Sequence, residues 1–161
     1  MTLQSSVALA QGYGLVGTIR ADGPTRAQPG VLKGTAANIV VGRAFTIDSA
    51  DGQFSPGGTG NFGGILCDPH SLQSVGTTSG GPLAPTLTVP AGTIGQFLTM
   101  GYVLVSLTNA ANPEDPVYFV NADGTLAAGT ATTGQTQIAG AKVKYVINAA
   151  AGLAVVSLTG S

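Results

Sequence analysis

The sequence predicts an all-β fold, either an antiparallel β-barrel or a jelly-roll-like sandwich, with long Gly-rich loops and an N-terminal arm. No window of a dozen residues carries apolar side chains at helical spacing without an interrupting Gly or Pro. Short runs rich in Val, Ile, Thr, Tyr and Phe recur instead, bounded by Gly, Pro, Asn and Asp. The 25 Gly and 9 Pro among 161 residues indicate many turns, as a chain of short strands requires.

Seven segments have the composition of strands. Each contains β-branched or aromatic residues and ends at a residue that favours a turn. Strands at this spacing are typical of a sandwich or a barrel. The predicted strands cover residues 14–19, 38–47, 86–89, 96–108, 117–121, 137–147 and 153–159.

Two of these segments indicate how their faces are covered. In AKVKYVIN, residues 141–148, the side chains of Val143, Tyr145 and Ile147 share one face and two lysines occupy the other. This alternation predicts an antiparallel strand with one buried face. In GYVLVSL, residues 101–107, both faces are apolar, which predicts a strand covered on both sides by a second sheet or another subunit.

The stretch PEDPVYFVNADGTL, residues 113–126, combines a strand with a turn signal. The apolar run 117–120 leads into Asn-Ala-Asp-Gly at 121–124, whose Asp and Gly tolerate the backbone angles of a tight turn. Glu114 and Asp115 are adjacent, so on an extended chain their side chains point in opposite directions and cannot share a substrate. The stretch is therefore predicted to be a β-hairpin, and not a pair of catalytic carboxylates.

Two long Gly-rich stretches, residues 48–64 and 68–85, show no obvious strand. Loops of this length are uncommon in a compact domain unless they are functional or mobile. Apolar residues in or beside the first stretch either meet a partner surface or pack back onto the domain's own core. These residues are Phe54, Phe62, Ile65 and Leu66.

The chain is expected to form one structural domain over residues 1–161. Residues 1–14 are a possible extended arm, residues 15–95 a loop-rich β part, and residues 96–161 a compact β-barrel part. The first residues lack the basic start of a signal peptide, and no run approaches the ~20 apolar residues of a membrane span. We expect the protein to be made and kept in a cytoplasm, or built into something assembled there.

The charge content is unusually low. Charged residues make up 8% of the chain, the net charge is −1, and the hydrophobic fraction is 43%. Binding to nucleic acid needs clustered Lys and Arg, whereas the six present are scattered. A chain that can barely form a charged surface is expected to use Thr, Ser, Asn, Gln and Gly outside and to have much of its surface covered by partners.

Motifs that could carry chemistry are weak. GYGLVG, residues 12–17, matches the dinucleotide-binding pattern, but Asp-Gly-Pro at 22–24 prevents the long helix that the pattern needs. CDPH, residues 67–70, holds the only Cys and the only His, so one subunit can form neither a disulfide nor a four-ligand zinc site. We therefore predict no catalytic residue, no metal ligand and no cofactor.

The C-terminal part shows a family resemblance. The segment GYVLVSLTNAANPEDPVYFVNADGTL, with IAGAKVKYVINAAAGLAVVSLTG after it, resembles the capsid cement (decoration) proteins of tailed bacteriophages. An upstream segment, VGRAFTID at 41–48, is similar to a strand of the same proteins. The residues that carry the resemblance are Asp115–Tyr118, Asp123–Gly124, Ile138–Ala141 and Gly152–Leu158.

The resemblance implies a β-barrel or jelly-roll-like structural protein on the outer surface of an icosahedral phage head. Such a protein clamps neighbouring subunits of the major capsid protein and binds copies of itself, as a homotrimer or a homodimer. It implies no enzyme, no cofactor, and no direct contact with nucleic acid or a membrane. The expected location is the virion, after synthesis in the host cytoplasm.

Under this interpretation, apolar residues of the arm and of the 48–66 region are the candidate interface. They are Leu3, Leu9, Tyr13, Phe54, Phe62, Ile65 and Leu66. One alternative is a receptor- or glycan-binding β-domain of a phage fibre or tail, with Tyr13, Tyr118 or Phe62 as sugar platforms. The absence of Trp weakens that alternative. A second alternative is a hydrolase that uses an aspartate and His70.

Overall fold

The computed structural model describes residues 14–20, 23–35, 37–67, 90–148 and 152–160. Within these ranges the chain forms strands and turns but no helix, which confirms the all-β prediction. Accordingly, the described ranges offer no helix long and apolar enough to cross a membrane. The strands are β1 (Ile19–Arg20), β2 (Arg26–Val31), β3 (Ala44–Ile47), β4 (Phe54–Pro56), β5 (Asn61–Leu66), β6 (Ile94–Ser106), β7 (Pro116–Val120), β8 (Leu126–Ala128), β9 (Gln135–Asn148) and β10 (Leu153–Thr159).

All described strands belong to one antiparallel sheet in the order β4-β3-β5-β6-β10-β9-β7-β8, with β1 and β2 also paired to β6. The long strand β6 organises the sheet because different strands pair with its two ends. Residues 94–100 pair with β2, and residues 97–98 pair with β5 on the opposite side. Residues 100–106 pair with β10, and residues 102–103 also pair with β1. The sheet therefore has two halves that share β6, a sandwich-like arrangement.

Each end strand of the described sheet approaches another segment of the same half, but only an isolated bridge joins them and no continuous ladder closes the sheet. A single bridge joins Leu32, just after β2, to Phe54 of β4. Another bridge joins Leu107, just after β6, to Leu126 of β8. The described strands thus form a curled sheet that is not closed. The curl lets each half enclose apolar side chains.

Two hydrophobic cores lie on opposite faces of β6. Phe97 points into the smaller core, where its ring stacks on Phe54 with centroids 4.0 Å apart and meets Phe45 at 5.2 Å. Leu98 points into the larger core. The smaller core comprises Leu32, Ile39, Val41, Phe45, Phe54, Leu66 and Phe97. The larger core comprises residues of both halves: Ala44, Ile65, Cys67, Leu98, Val103, Val105, Leu107, Val117, Phe119, Leu126, Ala128, Ile138, Ala141, Val143, Ala154, Val156 and Leu158.

The second half of β6 is covered on both faces, as its composition predicts. Val103 and Val105 belong to the larger core, while Leu104 points to the other side. All three side chains are at most 1% exposed. The chain near Gly14 covers part of that other side, because the Cβ position of Gly14 lies 3.1 Å from Leu104 Cδ2.

The prediction that Val143, Tyr145 and Ile147 share a buried face is wrong. Val143 is fully buried, but Tyr145 is exposed, and Val146 packs against the larger core instead. The pairing with β10 shifts register on either side of Tyr145, so β9 contains extra residues there. Each such bulge moves the following side chains to the opposite face, which simple alternation does not anticipate.

The Gly-rich stretch 48–64 contains β4 and most of β5, so the expectation of a strandless loop is wrong. Its glycines permit close packing. A Cβ on Gly63 would lie 2.6 Å from the Phe54 ring, and one on Gly64 would lie 2.8 Å from the Leu98 carbonyl O. Gly in these strands therefore marks close approach of neighbouring atoms and not a loop.

The other strand predictions differ mainly in their bounds. Strand β1 covers only the end of the segment predicted at 14–19, and β3 only the end of the segment at 38–47. The predicted strand at 86–89 lies outside the described residues. Strands β2 and β8 were not predicted. The sequence RAQPGV of β2 contains a Pro, which is tolerated in a strand only at an edge.

The predicted hairpin at 113–126 is confirmed. Strand β7 pairs with β8 so that Val117 lies opposite Ala128 and Phe119 opposite Leu126. The Asp123 carboxylate closes the turn, because Oδ1 accepts hydrogen bonds from Thr125 N–H at 3.1 Å and from its hydroxyl at 2.8 Å. This is the local side-chain chemistry that makes Asp a turn residue.

The turn of this hairpin, residues 121–125, also joins the two halves of the sheet. Gly58 donates its N–H to the carbonyl O of Asn121 at 2.7 Å. Ala44 donates its N–H to the carbonyl O of Gly124 at 2.9 Å. We call these contacts the turn junction. An ion pair borders it, with the Arg43 guanidinium 3.5 Å from the carboxylate of Asp123.

Candidate interaction surface

The structure describes four of the seven candidate interface residues and places them in two different environments. Leu3, Leu9 and Tyr13 lie outside the described residues. The side chains of Phe54, Ile65 and Leu66 are at most 5% exposed and belong to the cores. Phe62 is half-buried against the larger core, 6.2 Å from the ring of Phe119. For residues 54, 65 and 66 the structure therefore shows packing onto the chain's own core, one of the two possibilities considered for this region.

The apolar side chains that do reach the surface lie elsewhere. The large hydrophobic residues most exposed in the described part are Leu15 at 71%, Ile94 at 64%, Val31 at 39% and Tyr145 at 37%. Val31 and Ile94 lie directly opposite each other on β2 and β6. Their side chains therefore form one cross-strand apolar pair exposed to solvent.

The pair extends into a larger uncharged surface. Leu32 and Phe97 belong to the smaller core, so the alternate residues of β2 and β6 face the other way. Leu98, one of these alternate residues, is buried in the larger core, but the others on this face, from residue 27 to 31 of β2 and from 94 to 96 of β6, are exposed and none carries a charge. We call this surface the β2–β6 patch; its residues are Ala27, Pro29, Val31, Ile94 and Gln96. The apolar alternation at 27, 29 and 31 is a strand signal in the sequence that could have identified it.

The outer edge of β2 runs along the same patch. Leu32 donates its N–H toward β6, to the carbonyl O of Thr93 at 2.9 Å, while Lys33 donates to the opposite side, to Phe54 at 2.8 Å. Successive peptide groups of a strand alternate in direction. The N–H and C=O of Ala27, the C=O of Pro29 and the N–H of Val31 therefore point away from β6. In the described part of the chain, β6 is the only strand paired with residues 26–30.

The end strands of the sheet have no comparable open edge in the described ranges. The edge of β4 meets Lys33, whose N–H binds the Phe54 carbonyl. The edge of β8 is occupied by the side-chain amide of Asn109, which binds both the N–H and the C=O of Ala128 at 3.0 and 2.7 Å. This amide takes the place of a neighbouring peptide group. Pro29 has no N–H, but its nitrogen faces the outer edge, so the ladder to β6 loses no bond.

A groove of about 480 Å³ borders the patch. Gln28 spans it and donates to the carbonyl O of Gly63 at 2.8 Å, and Arg26 Nε donates to Thr99 Oγ1 at 3.2 Å. Phe62 contributes an apolar side chain. The groove is lined by Arg26, Ala27, Gln28, Ile47, Phe62 and Thr99. Phe62 is thus the one candidate interface residue among the described ones that reaches an accessible surface.

At the Val31 end of the patch, three ionised groups neutralise one another. Lys33 Nζ lies 2.6 Å from Asp48 Oδ2 and 2.8 Å from Asp51 Oδ2. The hydrogen bond from Lys33 holds the pKa of each carboxyl below its ordinary value, assisted by the backbone N–H of Ala50 and Gln53 respectively. The two carboxylates in turn raise the pKa of Lys33.

We expect this cluster to show a defined response to acid. Because the folded-state pKa values of Asp48 and Asp51 are lowered, their contribution to stability is present above about pH 4 and is lost as the pH falls through the lowered values. In Lys33→Met, both carboxyl pKa values should rise toward normal in an NMR titration. Lys142→Met, which removes the distant partner of Glu114, should leave them unchanged. Retention of the low values in Lys33→Met would contradict this assignment.

The other candidate catalytic or metal-ligating side chains that the structure describes have structural partners. The Glu114 carboxylate lies 3.1 Å from Lys142 Nζ, whereas Asp115 accepts the N–H of Asn112 at 2.7 Å, so the adjacent carboxylates are held by different groups. Cys67 is buried and its thiol donates to the Ile65 carbonyl. His70 lies outside the described residues. No group of three or more potential metal-ligating side chains occurs within the described ranges.

Comparison with known proteins finds a matching family and a similar solved structure. A family model described as "Structural cement protein (E217 gp24/Pam3 gp6)" matches residues 3–159. A chain in the solved structure "The capsid of Myoviridae Phage XM1" is similar with a TM-score of 0.72 and 17% identity, over 99% of this chain and 98% of that chain. At this identity the likeness shows a shared fold. No curated protein sequence matches.

Proposed function

This chain belongs to the family of phage structural cement proteins, and from that membership we propose that it binds the outer surface of an icosahedral head and clamps neighbouring major capsid subunits. Its role is structural and its location is the virion capsid. The observation that carries the proposal is the match to the family over residues 3–159, nearly the whole chain. In this role the protein acts by binding, without catalysis.

The composition of the described surface supports a protein whose surface is covered by partner subunits in the assembled particle. Charged residues are 8% of the chain, and two of the four exposed large apolar side chains of the described part, Val31 and Ile94, lie side by side in the β2–β6 patch. Large exposed apolar surfaces mark interaction sites in soluble proteins. A ligand that binds only one state of a lattice stabilises that state by mass action, and many copies multiply a modest contact.

In the proposed assembly the protein is a homotrimer or a homodimer whose contacts include residues of the N-terminal arm. Phe54, Ile65 and Leu66 lie inside the chain's own cores. The contact residues that we propose are the remaining members of the predicted interface set. They are Leu3, Leu9, Tyr13 and Phe62.

The proposal is tested with phage heads assembled without this protein. Addition of the purified chain to expanded heads should raise the temperature at which the heads break open, measured by calorimetry and electron microscopy. At a free concentration of 100 times Kd, each occupied site should gain about 2.7 kcal/mol. Unexpanded heads are the matched control and should gain little. Expanded heads that stay as fragile at saturating protein as without it would refute the clamp.

A further inference from the structure

We propose that the β2–β6 patch and the outer edge of β2 together form the docking site for an extended, uncharged segment of a capsid subunit, which adds to the sheet as a strand beside β2. This inference rests on the proposed function and specifies where the contact is made. Strand addition supplies affinity through main-chain hydrogen bonds and specificity through alternate side chains.

The main-chain groups favour this edge over the edges of the two end strands, β4 and β8. The peptide groups of Ala27, Pro29 and Val31 that point away from β6 meet no strand over residues 26–30 in the described part. The edges of β4 and β8 are already occupied by Lys33 and Asn109. Within the described ranges, strand β2 therefore has an open edge over residues 27–31 that can accept a further strand.

The side chains define the chemistry of the partner. The exposed pair Val31 and Ile94 requires an aliphatic side chain opposite it. The patch has no charge, and the ammonium of Lys33 near Val31 is balanced by two carboxylates, so a charge placed over Val31 and Ile94 would be desolvated without compensation. The complementary segment is apolar and uncharged where it crosses Val31 and Ile94.

Pro29 indicates that the strand added beside β2 comes from a different protein and not from a second copy of this chain. In a two-fold antiparallel pairing of β2 with its own copy across residues 27–31, the carbonyl of each Pro29 would face the ring nitrogen of the other Pro29. Neither proline can donate a hydrogen bond. A capsid segment with an ordinary residue at that position donates its N–H to Pro29 and satisfies the carbonyl. Pro29 thus limits self-pairing, which is a known way of protecting an edge strand.

Two pairs of variants test the site by binding to heads that lack the protein. Ile94→Glu should weaken binding about 100-fold, because it places a charge in a desolvated contact. Its matched control is Leu15→Glu, at an exposed aliphatic residue outside the patch, which should bind like the wild type. Ala27→Pro removes one outward N–H and should weaken binding about 10-fold, while Ala27→Ser keeps that N–H and should not. Thermal unfolding of each free variant checks that it folds.

Each outcome has a defined meaning. If the wild type binds and all four variants bind equally well, the docking site is overturned while the cement function stands. Equal loss in Ile94→Glu and Leu15→Glu also overturns it, because any exposed apolar residue would then matter. If Ile94→Glu and Ala27→Pro separate an oligomer but still bind heads, the edge is a self-contact and the proposal fails. If the wild type does not bind heads, the proposed function fails, and this inference fails with it.

Discussion

Gly124→Ala is expected to lower the free energy of unfolding by about 3 to 5 kcal/mol, one of the two largest single-residue effects that we predict for this chain. Gly124 has φ of +75°, a region that costs an L-residue about 1–2 kcal/mol. A Cβ there would also lie 2.2 Å from the carbonyl O of Ala44, which is backbone and cannot move aside cheaply. The substitution therefore strains the turn and breaks the turn junction at once.

Gly134→Ala separates these two costs. Gly134 has φ of +82°, close to that of Gly124, but a Cβ there would meet no atom within 4 Å. It should cost only about 1–2 kcal/mol. The measurement is the midpoint of urea unfolding for both variants, compared at unchanged slope. Equal losses in the two variants would show that the close contact with Ala44 contributes nothing, and would contradict the role of the turn junction.

Phe97→Ala should cost about 3–5 kcal/mol of the free energy of unfolding. Phe97 is fully buried, and its ring packs against both Phe54 and Phe45 at the centre of the smaller core. Removing it leaves a cavity on one face of β6, the strand that both halves share. Since domains are typically stable by about 5–15 kcal/mol, this change should bring the chain close to the unfolding threshold.

Phe62→Ala is the matched control for Phe97→Ala. It removes the same side chain from the half-buried groove position, where part of the ring already contacts solvent. The loss in unfolding free energy should be about 1–2 kcal/mol, because less apolar surface returns to water. Thermal and urea unfolding measure both changes. A Phe97→Ala loss no larger than that of Phe62→Ala would mean that the smaller core does not support the sheet as described.

The partners of the acidic residues were predictable only in part. Local sequence indicated that Asp123 closes a turn, and the hydrogen bonds to Thr125 confirm it. The pairing of Asp48 and Asp51 with Lys33 was not predicted. These residues are 15 and 18 positions apart from the lysine, and the approach depends on how β2 and the turn after β3 meet. A local sequence pattern contains no information on how two distant segments approach each other.

The composition of the chain, taken alone, determines its class. Frequent Gly and Pro exclude long helices, β-branched runs specify strands, and the turn at 121–124 specifies a hairpin, because all of these depend on neighbouring residues and local backbone angles. The scarcity of charge indicates a surface that partners cover, because few ionised groups remain to face water. These properties do not depend on which strands pair with each other.

Tertiary structure decides which apolar residues reach the surface. Phe54, Ile65 and Leu66 looked accessible in a Gly-rich stretch, yet they are buried because the glycines around them let strands and rings approach closely. Val31 and Ile94 lie opposite each other in paired strands, yet they are exposed because the larger core does not extend over that end of β6. Burial depends on how distant segments pair and pack, and it cannot be predicted from a window of neighbouring residues.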